Sequence, residues 1–300
     1  MLKILLNTSS LFLLLTALPL SAQEVTLAHE TLNHKILTLN AEMKLAENSQ
    51  LSDGVMLITH GTLAHNKMEV ISTFQNLLAD AGINTLAINL SLGINNRHGM
   101  YDCKVPHQHK HTDAIEEINA WLSWLQQQGA GNITLMGHSR GGNQTAWFSD
   151  SHPDQLIKAQ ILLAPATWSE KAEQDNYQTS YGKSLSTLLS DAQRAQPNTW
   201  MEHVDFIYCA DSRVKADSFV DYYQANPKFN TPYLLKQTTI PTLVISGSED
   251  KTVSDLPEMM TNVSNPLVQH IEIEGADHYF RDLYADEAVE SIIEFLDNQE

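Results

Sequence analysis

The chain has 300 residues, with 36 Asp and Glu against 18 Lys and Arg, for a formal net charge of −18 at pH 7. A length of this order fits one large α/β domain with an insertion, or two ordinary domains, and it is long enough to bury a core. So acidic a surface repels nucleic acid and anionic lipid, which removes both from the expected partners.

Residues 1–22, MLKILLNTSSLFLLLTALPLSA, place one Lys ahead of an apolar run at Leu11–Leu15 and close on the small residues Ser21 and Ala22. That order is the pattern of a secretory signal peptide. A membrane anchor needs about 20 predominantly apolar residues, and the polar NTSS interrupts this stretch. Leu20, rather than Ala, stands three residues before the cut, so the cleavage site is less well marked than the signal. The expectation is an exported protein, periplasmic or extracellular, with no membrane span in the mature chain. An oxidising compartment lets Cys103 and Cys209 pair; two unconnected thiols are the alternative, because sequence supplies no Cα separation.

Beyond the leader, apolar stretches alternate in period. KILTLNAEMKLA (35–46) predicts an opening pair of strands, and GVMLITHG (54–61) a buried strand ending in His-Gly. MEVISTFQNLLADAG (68–82) carries Val70, Phe74, Leu77 and Leu78 at helical spacing and stops at Gly82. INTLAINL (83–90) is the next strand, followed by a long polar loop. In HTDAIEEINAWLSWLQQQG (111–129), Ile115, Ile118, Leu122 and Leu125 share a helix face, with Asp113 and Glu116 spaced as a capping box. Then come a strand in NITLMGH (132–138), a helix from about Gly141, and a strand in AQILLAPA (159–166).

The rhythm fails over 167–239, where Trp168, Tyr177, Tyr181, Trp200, Phe206, Tyr208, Tyr222 and Tyr223 lie scattered through polar, helix-like segments. It resumes at IPTLVISGSED (240–250), a short helix near Leu256–Asn262, LVQHIEIEGADH (267–278) and a last helix, DEAVESIIEFLDNQ (286–299). Strands alternating with amphipathic helices predict an α/β fold, with a mostly parallel central sheet flanked by helices. The irregular stretch predicts a helical cap inserted before the last two strands. The expected domains are thus a core of 23–166 and 240–300 and a cap of 167–239.

Chemistry enters at Gly137-His138-Ser139-Arg140-Gly141, a Gly-x-Ser-x-Gly between a strand and a helix. A serine hydroxyl is a poor nucleophile until a base takes its proton and a steep turn holds it clear of its neighbours. Glycines permit the turn, since a side chain at either position would collide with strand or helix. The pattern alone is weak, and its place between strand and helix sharpens it. The partners should follow later strands, so that both reach the serine from the carboxyl edge of the sheet. Asp250 and His278 stand at those positions.

HGTL at 60–63, GHSRGG at 137–142, GSEDKTV at 247–253 and GADHYF at 275–280, in this order, resemble the α/β-hydrolases, the superfamily of many lipases, esterases and peptidases. The resemblance runs from about residue 50 to 300, the insertion apart. It implies Ser139 as nucleophile, His278 as base and Asp250 as the acid that orients the imidazole. Glu249 is the rival acid, one position early; His270 is the rival base, but lies inside an expected strand. For the oxyanion, the resemblance implies the backbone N–H of Arg140 and of Thr62, with Leu63 as fallback because the chain lacks an HGGG run.

Three other features carry weaker signals. His107, His109, His111 and Asp113 have the residue types of a metal cluster, but their alternate spacing puts them on one side of an extended segment, and the plainer expectation is a solvated polar loop at the site's rim. Ser180 and Lys183 match Ser-x-x-Lys without its companion motifs, as chance produces. The aromatics of 168–223 either line a substrate pocket or form the cap's own core. The sequence thus predicts a serine hydrolase acting on a carboxylic ester or thioester of a small-molecule or acyl substrate, with no metal or organic cofactor. A peptidase or amidase on the same triad is the second reading, and a non-catalytic binding member of the fold the third.

Overall fold

The structure is a computed structural model that describes residues 22–31, 34–196 and 198–299. The leader expected over 1–22 lies outside the described residues, Ala22 excepted. The first half of the chain forms β1 (Gln23–Glu30), β2 (Ile36–Lys44), β3 (Val55–Thr59), α1 (Glu69–Asp80), β4 (Thr85–Asn89), α2 (Asp113–Gln127), β5 (Ile133–His138), α3 (Arg140–Ser151) and β6 (Ile157–Leu163). The insertion follows as α4 (Glu170–Tyr181), α5 (Leu185–Arg194), β7 (Trp200–Phe206), β8 (Cys209–Lys215), α6 (Ala216–Tyr223) and α7 (Thr231–Leu235). The chain closes with β9 (Thr242–Gly247), α8 (Leu256–Met260), β10 (Val268–Ile273) and α9 (Leu283–Asp297).

Eight strands form one sheet in the order β1-β2-β4-β3-β5-β6-β9-β10. β2 runs antiparallel to β1 and β4, and every other pairing is parallel. The central strands β3, β4, β5, β6 and β9 are almost wholly buried, which is why they read as unbroken apolar runs rather than as alternation. Successive strand residues face opposite sides. Met56 and Ile58 therefore pack with Phe74, Ile292 and Phe295 of α1 and α9, while Val55 and Leu57 pack with Trp121 and Leu125 of α2 and Phe148 of α3.

Three expectations need correction. Residues 35–46 hold one strand, not two: the alternation runs unbroken through β2, and its partner β1 lies upstream, with Leu27 opposite Leu39. The capping box at Asp113 and Glu116 does not form, because Thr112 is the N-cap without a side-chain cap bond and Asp113 instead accepts the Lys110 N–H at 2.8 Å. The insertion is not purely helical. β7 and β8 form an antiparallel hairpin, whose two-residue turn carries Ile207 at φ 56°, where glycine or asparagine usually signals such a turn.

Apolar packing, strand pairing and a covalent bridge all join the insertion to the rest of the chain. Tyr177, Phe206, Phe219, Tyr222 and Tyr223 are buried in the same cluster as Leu57 and Trp121, so the aromatics serve mainly as core. The loop before α2 pairs with β8, His107 N–H donating to Arg213 O at 2.8 Å and Lys215 N–H to His107 O at 2.9 Å. A disulfide joins Cys103 of that loop to Cys209 of β8, with Cα atoms 5.3 Å apart. Among the described residues no helix is long and apolar enough to cross a membrane.

Candidate active site

β5, β9 and β10 run parallel, so the loops that follow them meet at one edge of the sheet. Ser139 sits between β5 and α3 at φ 57°, ψ −125°, a backbone state that costs a non-glycine residue about 1–3 kcal/mol. The flanking glycines are required by close approach. A Cβ at Gly141 would overlap the carbonyl oxygens of Thr59 and His60, and one at Gly137 would overlap the Gly141 carbonyl and Thr145 Oγ1.

Asp250 lies three residues past β9, where its Oδ1 accepts the N–H groups of Thr252 (2.7 Å) and Val253 (3.1 Å). Its Oδ2 is 2.7 Å from Nδ1 of His278, five residues past β10. Ser139, Asp250 and His278 are 8%, 5% and 6% exposed, so each of the three is nearly dry. Burial acts to raise the Asp250 carboxyl, but the hydrogen bond and charge of His278, with the two N–H donors, outweigh it and hold the group below its ordinary value. Neither Ser139 Oγ nor His278 Nε2 has a hydrogen-bond partner among the described residues; such contacts commonly tighten only when substrate binds. Of the rivals, Glu249 is exposed, and His270 bonds to Ser246 Oγ at 2.8 Å within the sheet.

Two further histidines, His138 and His60, support this arrangement. His138 Nε2 is 2.9 Å from the backbone oxygen of His278. Because a carbonyl only accepts, that nitrogen carries the proton, which leaves Nδ1 bare and without a partner. Burial, then the nearby charge of His278, pushes its pKa down to about 4. His60 accepts the Leu90 N–H on Nε2 at 3.1 Å and donates from Nδ1 to Gly61 O at 2.9 Å, which fixes the loop that follows β3. That loop abuts the serine: a Cβ on Gly61 would lie 3.1 Å from Ser139 Cβ.

Thr62 follows in this loop, and its Oγ1 accepts from Arg140 Nε at 3.0 Å. The backbone N–H groups of Thr62 and Arg140 have no acceptor among the described residues. Arg140 opens α3, whose N-terminal partial charge favours an anion. Leu63, at φ 54°, turns its side chain into the core, with its carbonyl taken by the Tyr101 N–H. The Arg140 side chain is only partly exposed. It runs under the insertion toward His111 Nδ1 (3.4 Å) and the Tyr222 ring (5.4 Å).

The histidine loop is likewise not solvated. His107, His109 and His111 are all buried, on one side of an extended segment as the spacing implied, but the insertion covers that side. His107 Nδ1 lies 3.2 Å from His109 Nε2, and His109 Nδ1 2.9 Å from the Tyr222 hydroxyl. Among the described residues no group of three or more His, Cys, Asp or Glu side chains is arranged to hold a metal ion. Lys183 of the Ser-x-x-Lys match pairs with Asp205 at 2.7 Å, away from any serine nucleophile.

Burial holds His60 at about 3, His107 and His138 at about 4, and His109 and His111 well below the ordinary 6.5. The unfolded chain therefore takes up protons first on acidification. The stability due to these groups is complete above pH 6.5 and is lost as pH falls toward 4. Asp113, pushed up by burial to about 6, and Glu117, to about 7, act in the opposite sense between roughly pH 4 and 7, and Glu173 and Asp221 are also raised. The histidines dominate, so Tm should fall by at least about 10 °C between pH 7.5 and 5. A thermal melt series that is flat across this range would contradict the buried neutral cluster.

A family profile described as serine aminopeptidase, S33 matches residues 50–280. No curated protein sequence matches the chain. Among solved structures, ferulic acid-bound Est1E from Butyrivibrio proteoclasticus superposes with a TM-score of 0.64 at 20% identity, covering 88% of this chain and 96% of that one. An esterase from Pyrococcus furiosus gives 0.58 at 17% identity over 93% and 91%. A monoacylglycerol lipase from Paleococcus ferrophilus gives 0.58 at 16% over 87% and 99%. At these identities the likeness is one of fold.

Proposed function

The chain belongs to the serine aminopeptidase S33 family of α/β-hydrolase enzymes, and we propose that it cleaves a carboxylic ester or thioester through an acyl-enzyme on Ser139. His278 takes the Ser139 proton as Oγ attacks the acyl carbon, and returns it to the departing alcohol or thiol. Asp250 holds the imidazole by Nδ1 and stabilises its cation. The carbonyl oxygen gains its charge between the N–H groups of Thr62 and Arg140, at the N-terminus of α3. Water then repeats the sequence on the acyl-enzyme and releases the acid.

The observation that carries this reading is the buried 2.7 Å pair of His278 and Asp250 at the sheet edge that also presents the strained Ser139. A second reading, peptide or amide cleavage on the same residues, is favoured by the description of the family itself. It differs mainly in requiring His278 to protonate an amine leaving group. We place the protein outside the cytoplasm, a reading supported by the Cys103–Cys209 bridge, since such bonds persist in oxidising compartments.

The test is a panel of p-nitrophenyl esters of increasing acyl length beside the matching p-nitroanilides, with a fluorophosphonate probe run in parallel. Labelling at Ser139 with ester turnover above anilide turnover is expected. Anilide turnover equal to or above ester turnover would move the assignment to the amidase reading. Absence of labelling and of turnover on both series would overturn the hydrolase mechanism.

A further inference from the structure

The side chain that follows Ser139 is a cation that forms no ion pair among the described residues. Of the five arginines, Arg194, Arg213 and Arg281 pair with carboxylates at the surface. Arg97 is buried and spent on the carbonyls of Ala64, Leu90 and Gly99 and on Asn89 Oδ1. Arg140 is different. Its Nε donates to the Thr62 hydroxyl at 3.0 Å and its Nη1 faces His111 Nδ1 at 3.4 Å. Its guanidinium carbon stands 5.4 Å from the centre of the Tyr222 ring. No carboxylate lies within 4.0 Å of it among the described residues.

Each of these partners is neutral. Burial keeps His111 unprotonated, and a threonine hydroxyl and a phenol ring hold the guanidinium without cancelling its charge. Of the five N–H donors of an arginine, two are engaged, and Nη2 has no partner among the described residues. Glu173 on α4 is the carboxyl whose titration Arg140 influences: burial raises it and the guanidinium lowers it, across a gap longer than an ion pair. A half-buried cation held by neutral groups, on a protein of net charge −18, is poised for an anion from outside the chain. Arg140 is also the residue whose backbone N–H is assigned to the oxyanion, and its Nε bridges to Thr62, the other assigned donor. The guanidinium therefore flanks the place where the acyl carbonyl is held.

We infer that Arg140 binds a carboxylate carried by the acyl part of the substrate, which makes this hydrolase selective for half-esters of dicarboxylic acids. The inference rests on the ester-hydrolase reading above. A planar guanidinium with free N–H groups suits a carboxylate, which accepts two parallel bonds from it. The His111 and Tyr222 contacts fix its plane before substrate arrives, so little rotamer freedom is lost on binding.

The test compares p-nitrophenyl hemiadipate with the same ester methyl-capped at its far carboxyl, and adds an acetyl ester whose alcohol bears the carboxylate. Wild type should favour the hemiadipate over its capped form by at least about tenfold in kcat/KM, mainly through KM. Arg140→Gln should reduce that ratio by about ten- to a hundredfold, the range of a charged hydrogen bond, and Arg140→Lys should restore part of it. Glu173→Gln, by removing the competing carboxylate, should raise the ratio. A loss confined to kcat and equal for both esters would mean that Arg140 only supports the fold. Equal turnover of both esters by wild type, or a stronger preference for the alcohol-borne carboxylate, would also overturn the inference. If wild type turns over none of the esters and Ser139 resists fluorophosphonate, the underlying hydrolase reading fails, and this one with it.

Discussion

Replacing Ser139 by Ala is expected to lower kcat by at least about 10⁴ and to abolish fluorophosphonate labelling, with Tm nearly unchanged. The rate loss follows because no acyl-enzyme can form; what remains is the modest rate enhancement that oxyanion donors and binding supply alone. Tm should hold because alanine meets the same strain at φ 57° that serine does, and because Ser139 Oγ makes no hydrogen bond among the described residues. Ser139→Gly supplies the control. It should be as inactive as the alanine variant, yet more stable by about 0.5–1 kcal/mol, since glycine tolerates positive φ. A variant at 139 that keeps both labelling and turnover would remove the serine from the mechanism.

His278→Ala should cost several orders of magnitude in kcat, with a second, separable effect on stability. Removing the imidazole leaves the Asp250 carboxylate buried with only the N–H groups of Thr252 and Val253, and a group that loses its partner in the interior costs about 1–3 kcal/mol. Asp250→Asn should lower kcat by up to about 10⁴, because an amide at 250 favours the wrong imidazole tautomer. Glu249→Gln should change kcat less than twofold, as expected of an exposed neighbour. Initial rates and thermal melts on the three variants check both effects. The reverse order for 249 and 250 would move the acid by one residue.

Much of this site was legible in the sequence because its parts are local. A strand buried on both faces must be a short apolar run, so the loops after β3, β5, β9 and β10 could be placed, and with them His60, Ser139, Asp250 and His278. What was not legible depends on contacts between distant segments. The β7–β8 hairpin turns at Ile207, a β-branched residue with none of the usual turn chemistry. His107, His109 and His111 read as polar and exposed because their covering comes from residues about a hundred positions further on. The support that His138 gives His278 joins residues 140 apart, and nothing in Gly-x-Ser-x-Gly marks the second position for that task. The motif marks Arg140 for its backbone alone, since the groups that hold its side chain come from three other parts of the chain.

The apolar cluster that runs without a break from Leu57 and Trp121 into Phe206, Tyr222 and Tyr223 makes the insertion and the sheet one cooperative unit. Lifting the β7–β8 and α6 part of the insertion would expose aromatic surface that the sheet's own helices share, so such opening approaches the free energy of global unfolding. Calorimetry of the intact protein would accordingly record a single heat-absorption peak, with the insertion melting together with the hydrolase core rather than ahead of it.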